Sequence, residues 1–193
     1  MRGGRLIQTG ISHRLPTGHI TLVTGPNGCG KSSLIRAIAG RLPLFNGRIQ
    51  CDLPIIYIGH ADGLSPALNA RANLANWAAL YGYAYDADAI TAALAALDAT
   101  GFADVPIGHL SRGQRRRISL ARLALASAST LWLLDEPNVG LDSASVALLD
   151  AMIDAHLGGG GMVFAASHLP LGPDMATRNL VLQDGHGHVG AGA

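Results

Sequence analysis

The chain is poor in lysine. Its 14 Lys and Arg residues include a single lysine, Lys31, set in a glycine-rich loop. Charge of either sign is also scarce, at 14% of residues, and the formal net charge is only +1. That balance excludes a general electrostatic pull toward DNA, RNA or anionic lipid. The two cysteines, Cys29 and Cys51, lack metal-site spacing and are too few for a disulfide framework. A reducing compartment, the cytoplasm, is therefore expected. No apolar run reaches the roughly 18 residues that cross a bilayer, because ISLARLALASASTLWLL is broken by Arg122 and by serines. The N-terminal MRGGRLIQTG lacks the apolar centre of a signal peptide, so a membrane would be reached only through a partner. Internal repeats, heptads and long linkers are missing as well.

What is present suits one α/β domain. At 193 residues and 49% hydrophobic content, the chain can bury its own core. HITLVT at 19–24 reads as a buried strand, and the GPNGCGKSSLIRAIAG that follows turns to helical spacing through Leu34, Ile35 and Ile38. RIQCD and PIIYIG read as two further strands. Residues 68–126, rich in Ala and Leu, read as helical, giving a core of 1–60 and 128–193 with a helical subdomain at about 61–127. TLWLLD at 130–135 is a continuous apolar run, as in a strand buried on both faces. A helix at about 143–157 presents Val146, Leu149, Ile153 and Leu157 to the core and stops at GGGG. MVFAAS reads as another buried strand and NLVLQDG as a last edge strand. Strands alternating with helices predict a largely parallel sheet.

Three strand ends carry chemistry. Gly25, Pro26, Asn27, Gly28, Cys29, Gly30, Lys31 and Ser32, with Ser33 behind them, match the phosphate loop G-x-x-x-x-G-K-[ST] between a predicted strand and a predicted helix. Glycines let backbone N–H groups converge on phosphate oxygens, and the helix N-terminus adds a favourable dipole. Lys31 neutralises β/γ charge and the Ser32 hydroxyl ligates Mg²⁺. Cys29 reads as a small filler. LWLLDEP ends a strand with Asp135, placed to hold Mg²⁺ through water, and Glu136, placed to polarise the water that attacks the γ-phosphate. His168, at the end of MVFAASH, is placed to donate to that phosphate and orient the water.

In this order the residues resemble the nucleotide-binding subunit of ATP-binding-cassette (ABC) transporters. GPNGCGKSS is similar to its Walker A loop, Leu110, Ser111, Arg112, Gly113 and Gln114 to its signature motif, and LWLLDEP to its Walker B strand. VGLD, ending in Asp142, is similar to its D-loop, and Ser167-His168 to its switch histidine. The resemblance implies an ABC-type P-loop fold with ATP and Mg²⁺ as cofactors. It also implies a head-to-tail homodimer in which Ser111 and the Gly113 amide meet the γ-phosphate held by the other copy. Arg112 stands where the family has glycine. His60, in YIGH, stands where a glutamine normally reaches Mg²⁺ and the attacking water, which brings pH-dependent hydrogen bonding to that contact. The family's opening strand, with the aromatic that stacks on adenine, would precede GGR at 3–5 and has no counterpart in the sequence. A weaker hold on adenine and the loss of one edge strand are the expectation. A start codon assigned too far downstream and a genuine shortening both remain open as its cause.

YIGHADGLSPALNARANLANWAALYG and LDEPNVGLDSASVALLDAMIDAHLGGGGMVFAASHLPL resemble the subfamily serving haem export in cytochrome c biogenesis. A peripheral ATPase on the cytoplasmic face of the inner membrane is implied, bound to the integral membrane subunits of a haem export complex, with no nucleic-acid partner. No residue points to haem itself: C-x-x-C-H is missing, and HGH at 186–188 reads as a solvated terminus. The same chemistry would serve another small ABC exporter or importer. A DNA or ribosome ATPase fits less well, since one cassette is present and only 80 positions separate Lys31 from Ser111. Intact Asp135, Glu136 and His168 argue against a subunit that binds without hydrolysing. In HLSRGQRRRISLARLAL, five cations at helical spacing cannot all face a nucleotide, so some are expected to pair with carboxylates or solvent.

Overall fold

The computed structural model describes residues 8–83, 85–171, 177–183 and 185–190; GGR at 3–5 lies outside them. Seven strands form one sheet. They are β1 (Gln8–Thr9), β2 (Ile20–Thr24), β3 (Ile55–Ile58), β4 (Leu131–Asp135), β5 (Met162–Ala166), β6 (Thr177–Gln183) and β7 (Gly185–Gly190), in the order β1-β7-β6-β2-β5-β4-β3. All neighbours are parallel except β6 and β7. The helices are α1 (Lys31–Ile38), α2 (Ala70–Tyr81), α3 (Ala87–Ala95), α4 (Arg112–Ala121) and α5 (Ser143–Gly158).

The period of two along the strands splits the core between the two faces of the sheet. Ile20, Leu22, Ile56, Ile58, Trp132, Leu134 and Val163 share a cluster with Leu149, Ile153 and Leu157 of α5 and with apolar residues of α2, α3 and α4. Val23, Leu131, Leu133, Phe164, Leu180 and Leu182 face the other way, onto Ile35 of α1 and onto Cys29. Cys29 is thus a buried filler of that cluster. All five residues of β4 are buried, as an apolar strand covered on both faces requires.

Three expectations are corrected. Residues 48–52 form no strand: only Cys51 is even half-buried, and no described neighbour takes up the ladder. NLVLQDG is not an edge, because β6 runs between β2 and β7 and bonds to both. On α5, Val146 is only half-buried, and His156 takes an inward place instead. Among the described residues, no helix is long and apolar enough to cross a membrane.

Candidate functional site

Register brings the chemistry to one edge of the sheet. Val23 of β2 pairs with Ala166 of β5, which pairs with Asp135 of β4; Ile58 of β3 is level with Leu134. The loops leaving β2, β3, β4 and β5 therefore emerge together at the carboxyl ends of the strands, where open parallel sheets bind ligands.

The loop between β2 and α1 is built around backbone angles only glycine adopts freely. Gly25 has φ 142°, and a Cβ there would run into the Leu182 carbonyl oxygen and come 2.9 Å from Cys29 Sγ. Gly28 (φ 84°) and Gly30 (φ 111°) complete the curl, and Gly30 is the N-cap of α1. Lys31 is buried and turns its Nζ back onto the loop, donating to the carbonyls of Gly25 at 2.8 Å and Pro26 at 3.1 Å. Ser32 Oγ donates to Asp135 Oδ1 at 2.9 Å, while Asp135 Oδ2 is buried without a partner. Ser33 faces a neighbouring cavity of about 400 Å³ lined also by Leu34, Ala37, Phe45 and Ile49. Phe45 is 71% exposed beside it.

Glu136, the only glutamate in the chain, holds the left-handed φ of 51°, a conformation that costs a non-glycine residue on the order of 1 kcal/mol or more. Its N–H donates to the Ala166 carbonyl at 2.8 Å, which ties β4 to β5 as the chain turns. The carboxylate lies 3.4 Å from His168 Nε2, which also stands 3.1 Å from Asn27 Oδ1. One imidazole so bridges the phosphate loop and the glutamate. His60 shares with Glu136, Asp62, Arg112, Arg116 and Val139 a cavity of about 20 Å³, room for one water molecule.

The signature segment is a helix start. Ser111 caps α4 by accepting from the Gln114 N–H at 3.2 Å, and Gln114 Oε1 accepts from the Ser111 N–H at 2.8 Å. This reciprocal box leaves the Ser111 O–H as a donor. Leu110 is buried and its carbonyl accepts from Arg115. A Cβ at Gly113 would come 2.7 Å from the Gly140 carbonyl oxygen, so signature and D-loop touch within one chain, with Arg112 packed over Gly140. Asp142 caps α5 by accepting from the Ser145 N–H at 2.8 Å, and hydrogen bonds from Ser145 hold its pKa below the usual carboxylate value.

Three contributors are not marked in the sequence. Arg116, 3% exposed, binds the backbone around Glu136 and Gly59. Asp62 pairs with it at 3.4 Å. Asn138 Nδ2 donates to the Pro170 carbonyl at 3.3 Å, joining the loop after β4 to the loop carrying His168. The only sequence signal that could have found them is the three-residue spacing of Arg116, Ser119 and Arg122, which runs through α4 into the 3₁₀ turn that follows it. As for the other cations of this segment, Arg117 pairs with the exposed carboxylate of Asp98 at 3.2 Å.

A phosphate loop between a strand and a helix, on a parallel sheet with two carboxylates at the next strand end but one, defines a P-loop nucleotide-binding domain. The family model described as ABC transporter matches residues 8–139. A cytochrome c biogenesis ATP-binding export protein of a Chelativorans species is 42% identical over 184 residues, 89% of this chain and 88% of that protein. The protein of the same description from Paracoccus denitrificans is 45% identical over 172 residues, covering 89% and 80%. Among solved structures, a putative ABC transporter ATP-binding protein of Pyrococcus furiosus superposes with a TM-score of 0.80 at 24% identity, over 91% of each chain. An ATP-binding cassette dimer in a post-hydrolysis state with ADP and phosphate gives 0.82 at 21%, over 100% of this chain and 95% of that one. The chain belongs to the ABC transporter family, with the ATP-binding export proteins of cytochrome c biogenesis as its close relatives.

Proposed function

We propose that this chain is the ATP-hydrolysing subunit of the haem export complex of cytochrome c biogenesis, peripheral on the cytoplasmic face of the inner membrane and held there by integral membrane subunits. The observation that carries the reading is the convergence of Lys31, Asp135, Glu136 and His168 on one sheet edge, in a chain so similar to cytochrome c biogenesis export proteins.

Lys31 exchanges its two loop carbonyls for the β and γ oxygens of ATP, and the N–H groups of residues 28–33 cradle the phosphates. The residues fit Mg²⁺: Ser32 and Asp135 supply hard oxygen donors, and Asp135 keeps a buried Oδ2 with nothing to bond. Among the described residues no cluster of three His, Cys, Asp or Glu forms a cage, which suits an ion that takes one or two protein oxygens and leaves the rest to phosphate and water. When bound, Mg²⁺ neutralises charge developing on the phosphate oxygens. Glu136 accepts from the attacking water, His168 fixes the carboxylate against Asn27, and His60 closes the same cavity. The nucleoside runs past Ser33 into the cavity where Phe45 offers an aromatic face.

A second copy completes the site. Residues 61–127 act as a helical arm that presents the Ser111 O–H and the Gly113 amide, at the N-terminus of α4, to the γ-phosphate bound by the partner. Two measurements test the whole reading: Mg²⁺-dependent ATP hydrolysis by the purified chain, and the identity of the membrane proteins that co-purify with it. Recovery with a metal-import or lipoprotein-release permease, or intact cytochrome c maturation in a strain lacking the chain, overturns the haem assignment.

A further inference from the structure

Arg116 sits on α4 five residues after Ser111, with its guanidinium buried against the sheet edge. Nε donates to the Pro137 carbonyl at 3.2 Å. One terminal nitrogen, Nη1, donates to the Gly59 carbonyl at 2.8 Å and to Asp62 Oδ1 at 3.4 Å. The other, Nη2, donates to the carbonyls of Asp135 at 3.2 Å and Glu136 at 2.9 Å. A guanidinium has five N–H donors in a rigid fork, and here each meets an acceptor. Three acceptors belong to the consecutive residues Asp135, Glu136 and Pro137, the last of β4 and the two that follow it, and a fourth to the residue before His60. Ser119 of α4 and Arg122, which opens the 3₁₀ turn just after α4, fasten the next stretch of that loop: Ser119 Oγ and Arg122 Nη1 donate to the Asp62 carbonyl, both at 2.9 Å, and Arg122 Nη2 to the Gly63 carbonyl at 2.6 Å.

A helix so bonded cannot shift without moving the backbone of Glu136. That backbone is held in a left-handed conformation, and the carbonyl Arg116 grips belongs to the same peptide plane that follows it. A buried cation whose net charge is met only in part by Asp62 is a poor choice for stability alone, since desolvation opposes it. Its geometric return is one solid body made of α4, the Glu136 turn and the His60 loop.

We propose that Arg116 is a positioning residue that couples the signature end of α4 to the Glu136 and His60 of the same chain. This rests on the functional reading above, in which Ser111 meets the nucleotide held by the second copy. Binding of that nucleotide by one pocket then sets the aim of the glutamate in the other. The two sites of the dimer communicate through one guanidinium.

The test compares Arg116→Lys with the wild-type chain and with Arg117→Lys, which alters a half-buried arginine paired with the exposed Asp98 carboxylate. A lysine keeps the charge but offers three donors from one point and cannot span five acceptors. The expected result is a kcat lower by on the order of 10²-fold with KM and ATPγS affinity within about twofold, because a small misplacement of a reacting group costs that much. Hydrogen exchange gives a second readout. With Mg²⁺ and ATPγS, residues 111–117 gain protection in all three chains, whereas 59–63 and 135–139 gain it in wild type and Arg117→Lys but not in Arg116→Lys. Should Arg116→Lys fail to fold, Asp62→Asn loosens the same fork without a void and is expected to show the same separation. A kcat within about twofold of wild type, or protection that still spreads to 135–139, overturns the coupling. A wild-type chain that neither hydrolyses ATP nor pairs on binding it would instead sink the functional reading, and the coupling with it.

Discussion

Gly113 of the signature segment lies directly against Gly140 of the D-loop: a Cβ on Gly113 would come 2.7 Å from the Gly140 carbonyl oxygen. Alanine is the better helix former by about 1 kcal/mol, but overpacking of this kind costs about 1 to 3 kcal/mol. The clash wins, and it pushes apart two segments that touch in the fold and that the proposed function assigns to one site. Gly113→Ala is expected to lower the melting temperature slightly and hydrolysis strongly, with ATP binding by the Lys31 loop retained. Calorimetry, an ATPase assay and a nucleotide-binding titration on the same preparation separate the three effects.

Glu136→Gln removes the carboxylate proposed to accept from the attacking water while keeping the shape of the turn. Its amide oxygen can still accept from His168 Nε2, so the protein should fold normally. Hydrolysis is expected to fall by about 10² to 10⁴-fold, the usual contribution of a positioned base, and ATP should trap a dimer visible by size-exclusion chromatography. Unchanged turnover would remove Glu136 from the reaction.

Ser111→Arg puts a long cation at the α4 cap, the position proposed to meet the partner's bound phosphate. The lost cap costs about 1 kcal/mol, and the added bulk blocks the second copy. Turnover is expected to vanish while equilibrium binding of ATP to the Lys31 loop is spared. Mixing this variant with Lys31→Ala, which lacks the phosphate lysine but keeps its signature, should restore at most one functional site per pair and a measurable fraction of activity. Failure of that mixture to recover any activity would argue against a site shared between copies.

Phe45 is the aromatic face beside Ser33. Phe45→Ala is expected to weaken ATP binding by about 1 to 3 kcal/mol, the worth of stacking one base, and to leave inorganic tripolyphosphate binding alone. Equal losses for both ligands would show that the cavity does not hold the nucleoside.

The parts of this site legible in the sequence were those encoded locally. GPNGCGKS needs its glycines for its own curl, and TLWLLD and MVFAA announce burial by composition, so strand, loop and helix followed from short windows. Pairing is not local, and there the reading went astray. RIQCD alternates like a strand but has no described neighbour, while β6 has one on each side only because β7 returns antiparallel to it.

Arg116 shows the same limit in chemistry. Arg115, Arg116 and Arg117 look alike in sequence, and which one is buried depends on acceptors 19 to 57 residues away. Roles of the caps were legible in principle: S-x-x-Q at Ser111 is a capping-box pattern, and the phosphate reading of that serine hid it. The cap does not compete with the proposed phosphate contact, since accepting from Gln114 leaves the hydroxyl proton to give.

His156 supplies the remaining prediction. It is 7% exposed, stacks on Trp132 with centroids 3.7 Å apart and planes 6° off parallel, and places Nε2 3.1 Å from the Thr130 carbonyl. A Cβ on Gly161 would overlap its ring, which is why a glycine follows the end of α5 here. Burial pushes the imidazole's pKa below its ordinary 6.5, outweighing its hydrogen bonds to the backbone of Thr130 and Met162, which raise it. As pH falls past 6.5 the unfolded chain therefore takes up the proton before the folded one does. Stability present above that pH is lost below it, until the folded imidazole also titrates. His13, lowered likewise by burial and by Arg178, contributes in the same direction. The melting temperature is expected to decline between pH 7.5 and pH 5.5, a window about one unit above and below the ordinary histidine value. His156→Gln should lower it at pH 7.5 and flatten the decline without abolishing it, because His13 remains. A slope identical to wild type would assign the pH dependence elsewhere.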